Sequence, residues 1–358
     1  MLNARQAVQA LKEYHPPLSG RTGLRLDFNE NTTTPSPFVL QRLRELAAED
    51  LARYPEREPV ERVIAQFLGL NSAEVLLTNG IDEAIHLLCQ TYLEPQDEAL
   101  IVVPTFAMYE LLAASTGAQV IPVRAQDDFG FPTESLLNRI NSATRMIAIA
   151  NPNNPTGAAA SASDLLLVAR AAPKAAVLVD EAYFEFYGQT LLAEIRSTPN
   201  LFMARTFSKA YGMAGLRAGV LAGPERQMRM VRKVASPYNV NAVALACLPA
   251  AIKDKDFVGQ YAASVLQGRK RLEAKFHSLG IHYWPSQANF VLADFGSCAQ
   301  VFVAEMALRG ILVRDRSSDP GCSGYVRITV GTSEQMDRLL NTLDEVVCTL
   351  PIGERSVV

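Results

Sequence analysis

Cysteine, histidine and tryptophan are sparse in this chain of 358 residues, which has 5 cysteines, 4 histidines and 1 tryptophan. The cysteines are widely separated and form no C-x-x-C pair, which predicts reduced thiols rather than a disulfide framework or a zinc site. They are Cys89, Cys247, Cys298, Cys322 and Cys348. The histidines are also scattered, with no H-x-x-x-H pair, so we expect no metal site.

Long apolar runs and a strong charge of either sign are missing as well. The absence of any apolar run of about eighteen residues argues against a membrane-spanning helix. The formal net charge of −3 lacks the basic excess of a nucleic-acid-binding protein. The first residues have no apolar centre of the kind found in signal peptides. These features together predict a cytoplasmic protein with neither a membrane nor a nucleic acid as its partner.

The chain does contain a regular alternation of apolar runs and helix-length segments. Runs with strand character occur at 74–78, 99–103, 119–123, 146–150, 176–179, 201–206 and 218–221. Helix-length segments such as 82–93, 107–116 and 162–171 lie between them. This alternation predicts an α/β fold with a mainly parallel seven-stranded sheet, and continuous apolar strands predict burial on both faces. Ligands of such sheets bind beyond the carboxyl ends of the strands.

The remaining segments predict a three-part organisation. We expect an N-terminal arm at 1–27 that packs with the small domain, a large domain at 28–240, and an interdomain helix with a small α+β domain at 241–358. Within these parts the helical spacing of apolar residues predicts helices at 39–51, 59–68, 256–279 and 334–347. Further strands are predicted at 289–293, 311–314 and 325–330.

Polar side chains follow the predicted strand at 201–206. Ser208 and Lys209 come directly after it, and Arg217 follows eight residues later among three glycines. A lysine can bind an aldehyde covalently while a hydroxyl and an arginine hold an attached phosphate. An ordinary strand-to-loop turn is the alternative interpretation.

The turn after the first sheet strand points to a phosphate as well. Asn79-Gly80 leads into a helical segment whose first turn contains Ile81 and Asp82. Backbone N–H groups at a helix start bind anions such as phosphate. Asn-Gly is also the usual hairpin turn, but a helical pattern rather than a strand follows it.

Three other strand ends carry candidate site residues. Tyr109 would either pack at a helix start or stack on a flat ring. Asn154 lies in the sequence NPNNPTG, which is typical of a tight turn but would also hold an amide firmly in place. Asp180 ends a buried strand, where a carboxylate needs a cationic partner unless it caps a helix or pairs at the surface.

Taken together, these segments resemble a known family. NPNNPTG, DEAY and TFSK with the downstream Arg217 occur in the order and approximate spacing of the pyridoxal-phosphate-dependent aminotransferases of fold type I, the aspartate aminotransferase fold. Six further stretches are similar to the histidinol-phosphate aminotransferase family within it. They are LDFNEN, ARYPE, LTNGIDEAI, PTFAMYE, PYNVN and ILVRDRSSDPGCSGYVRITVGT.

The resemblance implies pyridoxal 5'-phosphate as the cofactor and assigns the ring-binding residues. Lys209 would bind the cofactor aldehyde and then move the proton between the substrate Cα and the cofactor C4′. Asp180 would keep the pyridine nitrogen protonated, and Tyr109 would stack on the ring. Asn154 and Tyr183 would hydrogen-bond the 3′ oxygen of the ring.

The resemblance also implies how phosphate groups and subunits are arranged. The cofactor phosphate would accept hydrogen bonds from the backbone N–H groups of Ile81 and Asp82, opposite Ser208 and Arg217. Tyr54 would reach the same phosphate from the neighbouring subunit, so the site would be complete only in a homodimer.

The same family position predicts the substrate-binding residues. Arg327 would bind the substrate α-carboxylate with a bidentate pair, beside Asn154. Arg314 matches the position that binds the substrate's own phosphate, although pairing with Asp315 or Asp319 at the surface is its alternative. A family Thr-Pro-Tyr near the N-terminus is replaced here by a segment around Tyr14, which is the candidate for closing over the substrate.

The implied reaction is amino transfer from L-histidinol phosphate to 2-oxoglutarate, which gives imidazole-acetol phosphate and L-glutamate in histidine biosynthesis. An aminotransferase for aromatic or other amino acids would share all of the cofactor residues, and phosphothreonine decarboxylation uses a similar fold. A transcription regulator with an aminotransferase-like domain is not expected, because the residues before 74 leave no room for a DNA-binding domain.

Overall fold

The computed structural model describes residues 2–18 and 20–350. The strands in chain order are β1 (Leu24–Arg25), β2 (Val75–Thr78), β3 (Glu98–Val103), β4 (Gln119–Arg124), β5 (Thr144–Ala150), β6 (Ala176–Asp180), β7 (Leu201–Thr206), β8 (Gly219–Ala222), β9 (Tyr283–Trp284), β10 (Phe290–Asp294), β11 (Ile311–Leu312), β12 (Arg314–Asp315) and β13 (Tyr325–Thr329).

The α-helices begin with α1 (Gln6–Gln9), α2 (Pro37–Arg44), α3 (Ala48–Ala52), α4 (Glu58–Leu68), α5 (Gly80–Tyr92), α6 (Met108–Thr116) and α7 (Thr133–Arg139). They continue with α8 (Ala162–Ala171), α9 (Phe184–Tyr187), α10 (Glu225–Val234), α11 (Ala242–Lys253), α12 (Lys255–Ser278), α13 (Ala299–Leu308) and α14 (Ser333–Thr349).

The main sheet has seven strands in the order β2-β8-β7-β6-β5-β3-β4. Only β8 runs antiparallel to its two neighbours, β7 and β2, so the sheet is mainly parallel, and the predicted fold class is confirmed. Alternate residues of β5 face opposite apolar clusters: Met146 packs with α5, α6 and α10, and Ile147 packs with α7 and α8. Helices therefore cover both faces of the sheet, which is why its strands are continuously apolar.

A second unit contains an antiparallel sheet in the order β12-β13-β10-β9. The closing helix α14 and the long helix α12 agree with the helices predicted for this part of the chain. One apolar cluster runs from β2 and β8 of the main sheet through α11 and α12 to β10 and β13. The two units therefore share part of their core.

The single strand predicted at 311–314 is wrong. The chain forms two short strands there, because Ile311 and Leu312 pair with β1 while Arg314 and Asp315 pair with β13. The pairing of β1 also ties the N-terminal arm to the second unit. Farther back in the same arm, Arg5 donates a hydrogen bond of 2.9 Å to the carbonyl oxygen of Ser115 in α6. The boundaries at 27 and 240 stay a prediction.

The helix predicted at 39–51 is also wrong as one element. It is divided into α2 and α3, with Ser36 capping α2 by accepting a hydrogen bond from the backbone N–H of Val39. The second helix starts where the carboxylate of Asp50 accepts a hydrogen bond of 3.1 Å from the backbone N–H of Ala47. Side-chain capping restarts the helix, which the apolar spacing alone does not reveal.

Candidate active site

A cavity of about 160 Å³ opens beyond the carboxyl ends of the central strands. Ala150, Asp180 and Thr206 are the last residues of β5, β6 and β7, and all three line it. Parallel strands that end at one edge bring residues distant in sequence to the same place. The lining also includes Ile81, Asp82, Phe106, Tyr109, Pro152, Asn154, Ala182, Tyr183, Ser208, Lys209 and Arg217.

Lys209 follows β7 on a turn that leaves its amine at the cavity. Its Nζ donates a hydrogen bond of 3.0 Å to the carbonyl oxygen of Phe28. Burial, together with the positive charge of Arg327, lowers the pKa of Lys209 to about 8. An amine that loses its proton near neutral pH can attack an aldehyde.

Asp180 is almost completely buried, with 4% of its surface exposed. Its Oδ1 accepts a hydrogen bond of 2.9 Å from the backbone N–H of Ala182, and its Oδ2 accepts one of 2.5 Å from the hydroxyl of Tyr109. Burial raises the pKa of Asp180 to about 6, while these two hydrogen bonds act in the opposite direction. The sequence predicts the place of Tyr109 near the ring site but not its bond to Asp180.

The turn between β2 and α5 forms a cup that fits a phosphate. Gly80 begins α5 with a φ of +75°, and a Cβ there would lie 2.5 Å from Nη2 of Arg217. Ser208 is buried, and its hydroxyl has no hydrogen-bond partner among the described residues. A buried, unpaired donor beside a helix N-terminus and a guanidinium matches the needs of a phosphate group.

Arg217 already has an anionic partner in this cup. Its Nη2 donates a hydrogen bond of 2.8 Å to Oδ2 of Asp82, and both side chains are partly exposed. The sequence predicts that the backbone N–H of Asp82 binds phosphate. The contact between its carboxylate and Arg217 was not predicted from the sequence. The carboxylate fixes the guanidinium at the edge of the cup.

Asn154 and Tyr183 lie on the second-unit side of the cavity. The hydroxyl of Tyr183 accepts a hydrogen bond of 2.9 Å from Nδ2 of Asn29, and Oδ1 of Asn154 accepts one from Nη1 of Arg327. Asn29 is a buried residue that the sequence analysis did not assign to the site. The stretch LDFNEN, which contains it, was the available signal.

Arg327 is buried in β13 and binds across the cavity wall. Its Nη2 donates a hydrogen bond of 2.6 Å to the carbonyl oxygen of Asp27, and its Nε has no partner among the described residues. Burial, together with the nearby charge of Arg316, lowers the pKa of Arg327 to about 9. A substrate anion would relieve both effects.

Arg314 is brought next to Arg327 by the strand pairing. The two arginines are direct partners in the antiparallel pair of β12 and β13, so their side chains share one face. The guanidinium of Arg314 lies 5.3 Å from the ring centroid of Phe28. Asp319, the possible surface partner of Arg314, forms its ion pair with Arg316 instead.

Tyr54 and Tyr14 do not line the cavity. Tyr54 is 78% exposed and stacks on Tyr238 at a centroid distance of 4.2 Å. Tyr14 is also exposed. The roles predicted for these two residues stay predictions.

Residues 2–18 and 20–350 contain neither a metal-binding cluster nor a membrane-spanning helix. Over this part of the chain, no group of three or more histidine, cysteine, aspartate or glutamate side chains is arranged to hold a metal ion. None of the helices there has the length and apolarity needed to span a membrane.

The chain matches the family model for aminotransferase class I and II over residues 21–343. It is 33% identical to a histidinol-phosphate aminotransferase of Thermoanaerobacter sp. (strain X514), covering 90% of this chain and 93% of that protein. It is 35% identical to histidinol-phosphate aminotransferase 1 of Thiobacillus denitrificans, covering 92% and 86%. The crystal structure of histidinol-phosphate aminotransferase from Sinorhizobium meliloti in complex with pyridoxal-5'-phosphate aligns with a TM-score of 0.89 at 25% identity, covering 98% of both chains.

Proposed function

The chain belongs to the aminotransferase class I and II family, and from this we propose that it transfers the amino group of L-histidinol phosphate to 2-oxoglutarate with pyridoxal 5'-phosphate as cofactor. The products are imidazole-acetol phosphate and L-glutamate, as in histidine biosynthesis. The observation that carries the substrate assignment is the pairing of Arg314 with Arg327 beside a cavity that already contains Lys209 and Asp180.

The cavity residues divide into a phosphate cup and a ring site. Ile81 and Asp82 would donate backbone N–H groups to the cofactor phosphate, opposite the unpaired hydroxyl of Ser208 and the guanidinium of Arg217. When bound, pyridoxal 5'-phosphate supplies a reactive aldehyde carbon and a ring that takes up electron density.

The ring site uses groups whose protonation is set by burial. Asp180 would accept a hydrogen bond from the N–H of the pyridine ring, for which its carboxylate retains free lone pairs. Asn154 and Tyr183 would hydrogen-bond the 3′ oxygen, and Tyr109 would pack against the ring. The amine of Lys209 would bind the aldehyde and would be the base for the proton of the substrate Cα.

The two arginines hold the substrate anion. In glutamate, Arg327 binds the α-carboxylate with a bidentate pair. Histidinol phosphate carries a phosphate ester on the carbon that corresponds to this carboxylate, so Arg327 faces a dianion in that substrate. Arg314 supplies the second positive charge, and Asn154 orients Arg327 through its side-chain oxygen. One pair of arginines can thus serve both the donor and the acceptor half of the reaction.

We also infer that the enzyme is a homodimer whose active sites are shared. Tyr54 and Tyr238 form an aromatic pair that is largely exposed in a single chain, which is typical of a surface that contacts a partner. The five cysteines lie far apart in the sequence, which favours the cytoplasm, where thiols stay reduced.

The substrate assignment is tested by substituting Arg314. We expect Arg314→Ala to lower kcat/KM for histidinol phosphate by about ten- to hundredfold, the effect of losing a charge-assisted hydrogen bond. Turnover of phenylalanine, which has no phosphate, is expected to change much less. Arg271→Ala is the control, because this arginine pairs with Asp337 on the surface of α12 and α14.

Three outcomes would contradict the assignment. Unchanged histidinol phosphate turnover in Arg314→Ala would remove the basis for it. Faster turnover of phenylalanine than of histidinol phosphate by the unsubstituted protein would indicate an aromatic aminotransferase. Release of CO₂ from phosphothreonine would indicate a decarboxylase.

A further inference from the structure

The hydroxyl of Tyr109 forms a contact that ring stacking does not require. Tyr109 lies in α6 and Asp180 ends β6, and both are buried, with 1% and 4% of their surfaces exposed. The hydroxyl donates its hydrogen to Oδ2 of Asp180 over 2.5 Å. The backbone N–H of Ala182 donates to the other carboxylate oxygen over 2.9 Å. Each oxygen of the carboxylate is therefore held by one donor.

Asp180 depends on these two donors because no lysine or arginine in residues 2–18 and 20–350 forms an ion pair with it. Apart from burial, the groups with the largest effect on its pKa are the two donors and the like charges of Asp82 and Glu181. A carboxylate without water or a cation is costly to ionise unless hydrogen bonds replace the water. The Tyr109 hydroxyl is the stronger of these two donors in its effect on the pKa of Asp180.

Packing fixes the position of the Tyr109 ring, and this holds its hydroxyl in the direction of Asp180. Its ring meets Phe106 edge-on at a centroid distance of 5.9 Å and lies in the apolar cluster beneath α5 and α6. A rigid donor on a rigid helix can hold the carboxylate plane at one orientation.

We propose that the Tyr109 hydroxyl is a positioning group for Asp180: its hydrogen bond to Oδ2 holds the carboxylate ionised and oriented so that it accepts the N–H of the pyridine ring. This inference rests on the proposed function, since it presumes that pyridoxal 5'-phosphate binds in the cavity. Tyr109 then has two separable roles, stacking by its ring and alignment of Asp180 by its hydroxyl. A phenylalanine would keep the first and lose the second.

The test is the affinity of the apoprotein for pyridoxal 5'-phosphate, measured by equilibrium dialysis. We expect Tyr109→Phe to raise the Kd about tenfold, because a hydrogen bond to a charged group is lost while the ring remains. Tyr92→Phe is the matched control, since the Tyr92 hydroxyl donates a 3.0 Å hydrogen bond to Gln227 on α10, away from the cavity. Its Kd is expected to match that of the unsubstituted protein.

A double-substitution cycle separates alignment of Asp180 from a general packing effect. In the Asp180→Asn background the acceptor carries no charge, so adding Tyr109→Phe is expected to raise the Kd by less than about threefold. The proton resonance of the ring N–H in the loaded protein should also shift in Tyr109→Phe and stay in place in Tyr92→Phe.

The outcomes distinguish this inference from the proposed function. An unchanged Kd in Tyr109→Phe would overturn the inference, and so would an equal factor in both backgrounds. If the unsubstituted apoprotein failed to bind pyridoxal 5'-phosphate, the proposed function itself would fail. Thermal unfolding of each apoprotein variant checks that the fold is retained, and Asp180→Asn alone provides the reference if Tyr109→Phe proves unstable.

Discussion

The amine of Lys209 lies where a positive charge is unfavourable. Burial and the charge of Arg327 lower its pKa from the ordinary value of 10.5 to about 8. The unfolded chain therefore holds more protons than the folded apoprotein between these two pH values, and the contribution of Lys209 to stability rises with pH across this window. The same shift makes the neutral, nucleophilic amine available near physiological pH.

The first prediction concerns the pH dependence of cofactor capture. The rate at which the apoprotein attaches pyridoxal 5'-phosphate should rise with pH and level off above about 8, because only the neutral amine reacts. Arg327→Gln should move the midpoint to higher pH, since it removes a like charge near the amine. The absorbance of the cofactor aldehyde, followed by stopped flow, measures both profiles.

Arg271→Gln serves as the control for this profile, because it also removes one positive charge but does so on the surface of α12. A midpoint near 10.5 in the unsubstituted protein would contradict the assigned environment of Lys209, as would a midpoint that does not respond to Arg327→Gln.

At the scale of single elements, Gly80 at the start of α5 meets two requirements: a left-handed backbone conformation and the absence of a side chain next to Arg217. Gly80 has a φ of +75°, and a Cβ there would lie 2.5 Å from Nη2 of Arg217. Gly69, at the end of α4, has a similar φ of +71° but no atom within 4 Å of where its Cβ would be. Substituting each glycine therefore distinguishes the effect of backbone strain from the effect of displacing Arg217.

The second prediction compares Gly80→Ala with Gly69→Ala. Both should lose about 1 kcal/mol or more of unfolding free energy, because each places a Cβ in the left-handed region. Only Gly80→Ala should also weaken binding of pyridoxal 5'-phosphate, since Arg217 must move away from the cup. Urea unfolding and equilibrium dialysis measure the two effects, and equal cofactor affinity in both variants would show that Arg217 does not form the cup.

The elements that the sequence predicts well are those whose local pattern matches their surroundings. The strands of the main sheet are predicted to within about two residues at each end, because burial on both faces makes them continuously apolar. The helices α10 and α11 were not predicted, and α11 contains Pro249, which is unusual inside a helix. The exchange of partners between β11 and β12 depends on β1, almost three hundred residues earlier, and no local pattern records it.

In the candidate site, too, the positions set by local sequence pattern were predicted and the long-range contacts were not. Strand-end positions were enough to predict that Asp180, Lys209 and Asn154 meet at one edge of the sheet, and the structure places them around one cavity. The hydrogen bond of Tyr109 to Asp180 joins residues 71 positions apart, and that of Asn29 to Tyr183 joins residues 154 apart. Such contacts are set by the packing of α6 and the N-terminal segment, which a single sequence does not specify.

At the scale of the whole molecule, the proposed dimer gives a third prediction. If each site combines Lys209 of one subunit with Tyr54 of the other, Lys209→Ala and Tyr54→Phe protomers should complement each other. Hybrid dimers then contain one intact site and one site with both substitutions. Random exchange of equal amounts should restore activity to about a quarter of the unsubstituted sites.

Mixing either variant with itself under the same exchange conditions is the control, and neither should gain activity. Hybrid dimers that form, as shown by mass spectrometry, but remain as inactive as their parents would contradict a shared site. The exposed pair of Tyr54 and Tyr238 would then need another explanation.

The central claim is that this protein takes the amino group of histidinol phosphate onto pyridoxal 5'-phosphate held at Lys209. It is tested most directly by mixing the protein loaded with pyridoxal 5'-phosphate with L-histidinol phosphate alone and following the aldehyde absorbance. We expect the absorbance to disappear in a single turnover, with one imidazole-acetol phosphate formed per site. It should return when 2-oxoglutarate is added. Borohydride treatment of the starting protein should attach the cofactor permanently to Lys209. An absorbance that histidinol phosphate leaves unchanged, or the same cycle in Lys209→Ala, would contradict the claim.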